Sequence, residues 1–298
     1  MTPAIHLLLL AWFVAAGGMA VLWLLHFPMR NAAIVDFGWA FFLPTIAILY
    51  AVLGPGYAPR RGLMAALAAL WGYRLAFYLL FTRILGHAEE GRYVELRRSW
   101  ITQLPLKFFI FFQAQALLDV LLSLPFLLAA LDPRPALGWT DYAAAALWVV
   151  AFAGEATADA QLHAFKSNPA HKGKTCRAGL WNYSRHPNYF FEWLIWVAFA
   201  LGALVAAWGW LALFCPALML FFLFRVTGIP ATEAQALRSR GEEYRCYQET
   251  TSAFVPWFPK KRPTSWGCER IVSCETHSGF PPPRHRALAG QGRQFEAQ

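Results

Sequence analysis

Residues 189–229 read YFFEWLIWVAFALGALVAAWGWLALFCPALMLFFLFRVTGI, and this stretch decides the class of the fold. Its only charged side chains are Glu192 and Arg225. A helix needs about 20 apolar residues to cross the hydrocarbon core of a bilayer. The stretch is therefore too long for one membrane span, and it divides best near Trp208-Gly209 into two.

The composition of the whole chain agrees with this interpretation. Hydrophobic residues make up 58% of the 298 residues, charged residues make up 14%, and the mean hydropathy is +0.38. A soluble domain carries about 25% charged residues. Further stretches long enough to span a bilayer lie at about residues 4–25, 32–53, 62–85, 104–131 and 137–162. The sequence thus predicts an all-α, polytopic integral membrane protein with seven transmembrane helices. The lipid bilayer is an expected partner of this protein.

The distribution of basic residues predicts the orientation. Cytoplasmic loops of membrane proteins are enriched in Lys and Arg. The segments 86–103 and 163–188 carry most of the loop cations, whereas the loops on the opposite side hold only Arg60, Arg61 and Arg134. We therefore expect the N-terminus outside and the C-terminus in the cytoplasm. The net charge of +9 follows from the same bias, so nucleic-acid binding is not expected.

The C-terminal part of the chain is expected to lie outside the bilayer. Residues 231–249 predict two short helices that are broken at Gly241, and Thr232 with Gln235 has the spacing of a capping box. The last residues, about 264–298, are rich in Pro, Gly and Ser and predict a flexible tail. We therefore expect a membrane domain over 1–263, with its site mainly in 150–260, followed by the tail.

Ionisable residues inside predicted spans are candidates for function, because an unpaired charge in the bilayer costs several kcal/mol. They could alternatively form salt bridges between helices, and we expect this for Asp119 in particular. These residues are Asp36, Arg74, Asp119, Asp159, Glu192 and Arg225.

The densest polar cluster runs from Gly179 to Tyr189, with the sequence GLWNYSRHPNY, and Glu192 follows. Pro187 disfavours helix at His186 and can begin the helix that follows. A helix N-terminus at this point suits a phosphate, since its backbone N–H groups are free. The simpler alternative is a basic loop with an aromatic anchor.

This run, from Gly179 to Glu192, resembles the signature of the membrane steroid 5α-reductase-like family. The stretches Ile34-Val35-Asp36-Phe37-Gly38-Trp39, Gly91-Arg92-Tyr93 and 232–259 resemble its bacterial branch. The resemblance covers roughly residues 30–261, although isoprenylcysteine and phospholipid methyltransferases share the Arg-His-Pro-x-Tyr core. It implies a seven-helix enzyme of a bacterial inner membrane that uses NADPH to reduce the C=C bond of an enone, such as a Δ4-3-ketosteroid.

The resemblance also implies a set of cofactor-binding residues. Asn188, Glu192 and Asp159 match the family's cofactor positions, and Lys166 and Lys174 fall where the steroid enzymes have Arg. The full set predicted to bind NADPH is Arg74, Arg92, Asp159, Lys166, Lys174, Tyr183, Arg185, Asn188, Glu192, Arg225 and Tyr244. Lys166, Lys174 and Arg92 could pair with the 2′-phosphate, so NADPH is expected to bind more tightly than NADH.

Asp36 and Tyr73 are the predicted catalytic residues. The steroid enzymes hold the substrate ketone with a Glu and a Tyr; Asp36 falls near the Glu, and Trp71 occupies the position of the Tyr, with Tyr73 close by. Negative charge develops on the enone oxygen during reduction and needs a donor. A neutral Asp36 could supply that donor, or Asp36 could pair with Arg74.

Two other functions remain open. One is an S-adenosylmethionine-dependent methyltransferase, and this function is equally compatible with Glu242, Glu243, Tyr244 and Tyr247. A membrane scaffold would not explain the polar cluster before the sixth span. No metal ligands and no obligatory protein partner are expected, and the substrate is expected to be a hydrophobic small molecule.

Overall fold

The apolar stretches form long α-helices. A computed structural model describes residues 3–89, 91–226 and 228–260. Its α-helices are α1 (Pro3–Met29), α2 (Ile34–Leu53), α3 (Ala58–Leu79), α4 (Gly91–Ser99), α5 (Leu104–Leu122), α6 (Leu124–Leu131), α7 (Trp139–Ser167), α8 (Pro187–Ala203), α9 (Phe214–Phe221), α10 (Ile229–Arg240) and α11 (Glu242–Thr250). No strand occurs within the described ranges, so the prediction of an all-α protein is confirmed.

Six helical segments are long and apolar enough to cross a membrane, and they show that the chain is an integral membrane protein. These segments are Pro3–Met29, Ile34–Leu53, Ala58–Ile84, Leu104–Leu131, Trp139–Ser167 and Gly209–Arg240. The helix α8, which the sequence predicts as another span, has 17 residues and is not among the six.

The predicted break near Trp208-Gly209 is present. The helix α8 ends at Ala203, and the chain resumes in a 3₁₀ turn at Gly209–Leu213. Trp208 adopts a left-handed conformation with φ of +62°. A Cβ atom at Gly209 would lie 2.2 Å from the carbonyl oxygen of Leu204, so only glycine allows the chain to reverse so tightly.

Two polar ends can be distinguished in the helical bundle. At one end, Trp23 of α1 donates to the carbonyl of Pro105 in α5 (3.0 Å), and Arg92 pairs with Asp36 of α2. We call this the Arg92 end. At the other, the Arg60 end, the amide of Gly56 donates to the carbonyl of Ala130 (2.8 Å). Consecutive long helices therefore run in alternate directions.

Small residues bring the helices close together in the core. A Cβ atom at Gly72 of α3 would lie 2.7 Å from Pro44 of α2, and one at Gly154 of α7 would lie 2.4 Å from Phe191 of α8. Close backbone approach of this kind is typical of helix packing in membranes. Trp71 of α3 packs edge to face against Trp39 of α2 and Trp196 of α8 and has no exposed surface. As a result, α3, α7 and α8 present polar side chains to one another near the Arg92 end.

The C-terminal helices follow the prediction in outline. The helices α10 and α11 are separated at Gly241, whose φ is +56°. The capping box predicted at Thr232 is wrong, because α10 begins earlier, at Ile229, and its N-cap is Gly228 without a side-chain cap. Pro230 fixes this earlier start, since proline is favoured in the first turn of a helix. The predicted tail lies outside the described residues.

A buried charge network closes the Arg60 end. The Arg60 side chain is 1% exposed and donates from Nε to Asp141 (3.0 Å) and from Nη1 to the carbonyl of Arg134 (3.1 Å). It also pairs with Asp132 at 3.4 Å. The network ties the start of α3 to the start of α7. The sequence predicted Arg60 only as a loop cation. In the structure its side chain connects α3 to α7.

Replacing Arg60 with Ala should reduce the free energy of unfolding by about 3–5 kcal/mol, because it leaves the buried carboxylate of Asp141 without its ion-pair partner. The thermal unfolding midpoint of the purified protein in detergent measures this. Arg238→Ala is the matched control, since Arg238 is exposed. Equal midpoints for Arg60→Ala and the control would contradict the structural role.

Candidate functional site

Arg74 lies at the centre of a polar cluster between α3, α7 and α8. Its guanidinium forms an ion pair with Glu155 and lies 3.8 Å from Asp159, and both carboxylates belong to α7. Trp71, one turn before Arg74, donates from Nε1 to Glu155 (3.1 Å). Glu155 and Asp159 are four residues apart, so both side chains lie on the same face of α7.

Helix α8 adds two polar groups to this cluster. Asn188, in its first turn, donates from Nδ2 to Asp159 (3.3 Å). Glu192, one turn later, interacts electrostatically with Glu155, Asp159 and Arg74, but makes no hydrogen bond or ion pair within the described part of the chain. We call Arg74, Glu155, Asp159, Asn188 and Glu192 the carboxylate cluster.

The carboxylate cluster is not closed off by its own interactions. The side chains of Arg74 and Asp159 are 27% and 20% exposed, and Nε of Arg74 is buried without a hydrogen-bond partner. Buried polar groups in folded proteins are nearly always hydrogen-bonded. The cluster therefore retains exposed polar surface on Arg74 and Asp159 and one unused buried donor, which are hydrogen-bonding groups that a ligand could use.

The balance of charge in the cluster limits which part of a ligand it can accept. Two carboxyl groups, Glu155 and Asp159, contact one guanidinium, and Glu192 adds a third carboxyl group nearby. Arg83, at the π-helical end of α3, also interacts electrostatically with Asp159. Carboxylates accept hydrogen bonds from amide and hydroxyl groups and repel phosphates. The cluster therefore suits the uncharged, donor-rich part of a ligand.

Asp36 lies in the first turn of α2 and is paired, but with a different residue from the one predicted. Arg92 of α4 forms the ion pair, and the hydroxyl of Tyr93 donates to the same carboxylate oxygen (2.8 Å). The expected pair with Arg74 is wrong, because Arg74 contacts Glu155 instead. Asp36 thus accepts hydrogen bonds, which argues against the neutral donor that the sequence suggested.

Tyr93 is a strong and permanent donor in this group. Its side chain has no exposed surface, and burial, followed by the neighbouring Asp36 carboxylate, raises its pKa well above the ordinary value for tyrosine. The phenol therefore remains protonated at neutral pH and holds Asp36 in place. Arg92 is 47% exposed, so its guanidinium can reach a ligand while it stays paired with Asp36.

The structure does not bring Tyr73 to Asp36. The hydroxyl of Tyr73, in α3, lies 3.1 Å from the hydroxyl of Thr45, which belongs to α2 as Asp36 does. Thr45 follows Asp36 by nine residues, which corresponds to about 13 Å along a helix. The two predicted catalytic residues therefore occupy different levels of the bundle.

Arg185 holds the C-terminal helices against the start of α8. It donates from Nε to Glu233 of α10 (2.7 Å) and from Nη1 to the carbonyls of Gln248 (2.8 Å) and Thr251 (2.6 Å). Glu233 also accepts from Gln248 (2.8 Å). These contacts use much of the donor capacity of Arg185 within the protein, and we call this group the Arg185 clamp.

The remaining predicted cofactor residues lie in several places. Tyr244 is buried beside the Arg185 clamp, whereas Tyr183 is exposed and contacts Phe258 edge to face. Lys166 and Lys174 line a pocket beyond the end of α7. Arg225 is exposed in the π-helical turn at Phe222–Val226. Only Arg74, Asp159, Asn188 and Glu192 of the predicted set meet in one cluster.

Asp119 does not form the expected salt bridge. The residue is fully buried in α5, and neither carboxylate oxygen has a hydrogen-bond partner within the residues that the structure describes. It belongs neither to the carboxylate cluster nor to the Asp36 group.

Four residues of these groups were not predicted from the sequence in their observed roles. These are Glu155, its hydrogen-bond donor Trp71, Tyr93 and Glu233. The spacing of Glu155 and Asp159 on one helix was a usable signal for Glu155. Tyr93 and Glu233 lie in stretches that carry the family resemblance, but their roles could not be predicted because their partners are remote in the chain.

Comparison with known proteins covers most of the chain. The sequence model of the family described as "Protein of unknown function (DUF1295)" matches residues 22–251, which include the whole carboxylate cluster. An uncharacterized protein, C594.04c, of Schizosaccharomyces pombe (strain 972 / ATCC 24843) is 28% identical over 270 residues, covering 79% of this chain and 76% of the fungal protein. No solved structure matches.

Arg185→Ala should loosen α10 and α11, because it removes hydrogen bonds that a charged group donates to Glu233 and to two carbonyls, each worth about 1.5–3 kcal/mol. Hydrogen exchange of amides in residues 229–258 should become at least about tenfold faster. Arg245→Ala is the control, since the Arg245 side chain is 65% exposed and, among the described residues, forms an ion pair with Glu242 alone. Exchange as slow as in the wild type would show that the clamp is dispensable.

Proposed function

This chain belongs to the DUF1295 family, and we propose that it is a membrane reductase that transfers hydride from NADPH to the C=C bond of an enone lipid. The observation that carries the proposal is the convergence of Arg74, Asp159, Asn188 and Glu192 from three helices. The last three are the residues that the resemblance to steroid 5α-reductase-like enzymes assigns to the cofactor.

The residues present suit NADPH. The exposed faces of Arg74 and Asp159, the unpartnered Nε of Arg74 and the carboxylate of Glu192 leave hydrogen-bonding groups for a carboxamide and ribose hydroxyls. The phosphates do not suit the carboxylate cluster because of its acid excess. Lys166 lies seven residues after Asp159 on α7, about 10 Å along the same face, and Lys174 lines the same pocket. The cations are thus within reach of one extended ligand.

Within this site, NADPH would supply the hydride. Asp159 and Glu192 would accept hydrogen bonds from the ligand, and Asn188 would donate to it while it stays oriented by Asp159. Arg74 holds Glu155 and Asp159 together and offsets part of their charge. The apolar packing around Trp71 excludes water from this end of the site.

We propose that Arg92 binds the enone oxygen of the substrate. A guanidinium stabilises the negative charge that develops on the enone oxygen, and preorganised donors of this kind contribute much of the rate of such reactions. Asp36 and Tyr93 are positioning residues, because they orient Arg92 through the ion pair and the hydrogen bond. This replaces the direct donor role first considered for Asp36, and Tyr73 has no part in it. A Δ4-3-ketosteroid or a similar enone is the substrate class that the resemblance favours.

We also infer seven spans, with the Arg92 end in the cytoplasm. The 17 residues of α8 rise about 25 Å, close to the ~30 Å of a hydrocarbon core. The segments 85–103 and 168–186, which carry most of the loop cations, both lie at the Arg92 end. A cytoplasmic reduced nucleotide would then reach the site directly.

A second candidate is an S-adenosylmethionine-dependent methyltransferase. The observation that favours it is the acid excess of the carboxylate cluster, which suits a cationic sulfonium. Isothermal titration of the purified protein with NADPH and with S-adenosylmethionine distinguishes the two. Binding of S-adenosylmethionine without binding of NADPH would overturn the reductase proposal.

Asn188→Ala should weaken NADPH binding by about 1–3 kcal/mol, since it removes one hydrogen-bond donor and leaves Asp159 with one hydrogen bond fewer. The dissociation constant should rise about 5–150-fold in a titration. Asn182→Ala is a matched control, because Asn182 is exposed in the preceding 3₁₀ turn. Unchanged NADPH affinity in a folded Asn188→Ala protein would sink the cofactor assignment.

Arg92→Gln should lower enone turnover on the order of 10²–10³-fold, the scale observed when one oxyanion donor is removed. Asp36→Asn should cause a smaller loss, because it weakens only the positioning of Arg92. NADPH affinity should change less than about tenfold in both variants. Arg98→Gln on the same helix is the control, since Arg98 is exposed. Full turnover of folded Arg92→Gln would remove Arg92 from the mechanism.

A further inference from the structure

The short segment after α11 exposes large apolar side chains. Within residues 252–260, which we call the aromatic segment, Trp257 and Phe258 are 69% and 76% exposed, and Val255 is also exposed. The rings of Trp257 and Phe258 lie 6.4 Å apart, so they form one patch. Such an apolar patch marks a site of interaction with another molecule. In the described part of the chain, the segments that are apolar enough to cross a membrane end before this patch, so it needs an explanation of its own.

The aromatic segment has a fixed backbone. The amide of Trp257 donates to the carbonyl of Tyr183 (2.9 Å), and the hydroxyl of Ser184 donates to the carbonyl of Phe254 (2.8 Å). Both partners belong to the loop that leads into α8. Binding costs less conformational entropy when the backbone that carries the contacting side chains is already ordered. The exposed rings are therefore presented in a form that is ready to bind.

Phe254 fixes the level of the aromatic segment along the bundle. Its buried ring packs against Trp193 of α8 (5.9 Å between ring centroids) and against Phe224 at the end of α9 (5.2 Å). Trp193 lies six residues after the start of α8, about 9 Å along the helix. Phe224 belongs to a segment that is apolar enough to cross a membrane. The aromatic segment therefore lies against the ends of the apolar helices and does not extend away from them.

The exposed rings continue the apolar surface of α9. Phe221 and Phe224 are exposed on α9 and on the π-helical turn that follows it, where a membrane-spanning segment faces lipid. Phe254 joins this surface to the rest of the aromatic segment. Tryptophan is enriched at the membrane–water boundary, because its ring is apolar while its N–H can bond to headgroups. The sequence then continues with three basic residues, 260–262, which suit the headgroup region of a cytoplasmic membrane surface.

We propose that the aromatic segment is an interfacial anchor, in which Trp257 and Phe258 insert between the headgroups and the acyl chains of the bilayer that holds the bundle. The segment then neither spans the membrane nor lies free in water, in contrast to the expectation that the C-terminal part lies outside the bilayer. The amide of Lys260 donates to the carbonyl of Thr250 (2.8 Å), so the anchor also holds the end of α11 at the membrane surface. The anchor requires no bound nucleotide and does not depend on the reductase function.

Photocrosslinking of the full-length protein in nanodiscs of phosphatidylcholine tests the anchor. The photoreactive amino acid p-benzoylphenylalanine replaces Trp257 or Phe258, one position at a time, and on illumination it attaches to the C–H bonds that it touches. Mass spectrometry of the digested protein identifies the attached molecule. Phe221 is the lipid-facing control position, since it is exposed on α9, and Arg238 is the water-facing control, since it is exposed on α10. Thermal midpoints check that each variant is folded.

Phospholipid adducts at positions 257 and 258 should form with yields close to that at 221 and at least about tenfold above that at 238, because inserted rings touch acyl chains. Adducts with a second copy of the chain would identify a dimer interface and overturn the anchor. Adducts with residues 261–298 of the same chain would show that the chain covers its own patch, which also overturns it. Lipid yields at 257 and 258 no higher than at 238 would have the same meaning.

Discussion

The contact of the Arg74 guanidinium with two carboxylates of α7 is the interaction on which the candidate site depends. A charged group inside a bilayer is costly unless it is paired. Arg74 joins α3 to Glu155 and Asp159, and through Asp159 it reaches Asn188 of α8. Three helices that would otherwise contact one another through apolar side chains alone are thereby held around a polar space.

Charge is divided between two neighbouring regions along α7. The carboxylate cluster is acidic, and Arg74, Glu155 and Asp159 lie in helical segments that are long and apolar enough to cross a membrane. The cavity beyond the end of the helix is basic and is built from a loop and α10. A ligand with a donor-rich end and an anionic end would satisfy both regions in one orientation only. The acidic and basic regions together therefore limit the chemical class of the ligand more than either region does alone.

The two ends of the bundle show why an ionisable residue near the membrane is not by itself a functional signal. Arg60 is almost completely buried, and its partners Asp132 and Asp141 satisfy it. Arg74 is partly exposed, and one of its buried nitrogen atoms has no partner. A buried arginine whose donors all have partners within the protein indicates a structural role. A partly exposed arginine with an unused donor indicates a binding site.

The sequence by itself determined the all-helical membrane class, the break near Trp208-Gly209 and the separation of α10 from α11. These features depend on local hydrophobicity and on glycine, which act within a few residues. The sequence also pointed to Asn188 and Asp159 as members of one site. Only the tertiary structure decided which charges pair with which. Asp36 was predicted to be either a neutral donor or the partner of Arg74, and it pairs with Arg92 because the chain after α3 returns to the start of α2. A salt bridge depends on the packing of helices that are remote in the chain, and hydrophobic periodicity does not encode the partner of a charged side chain.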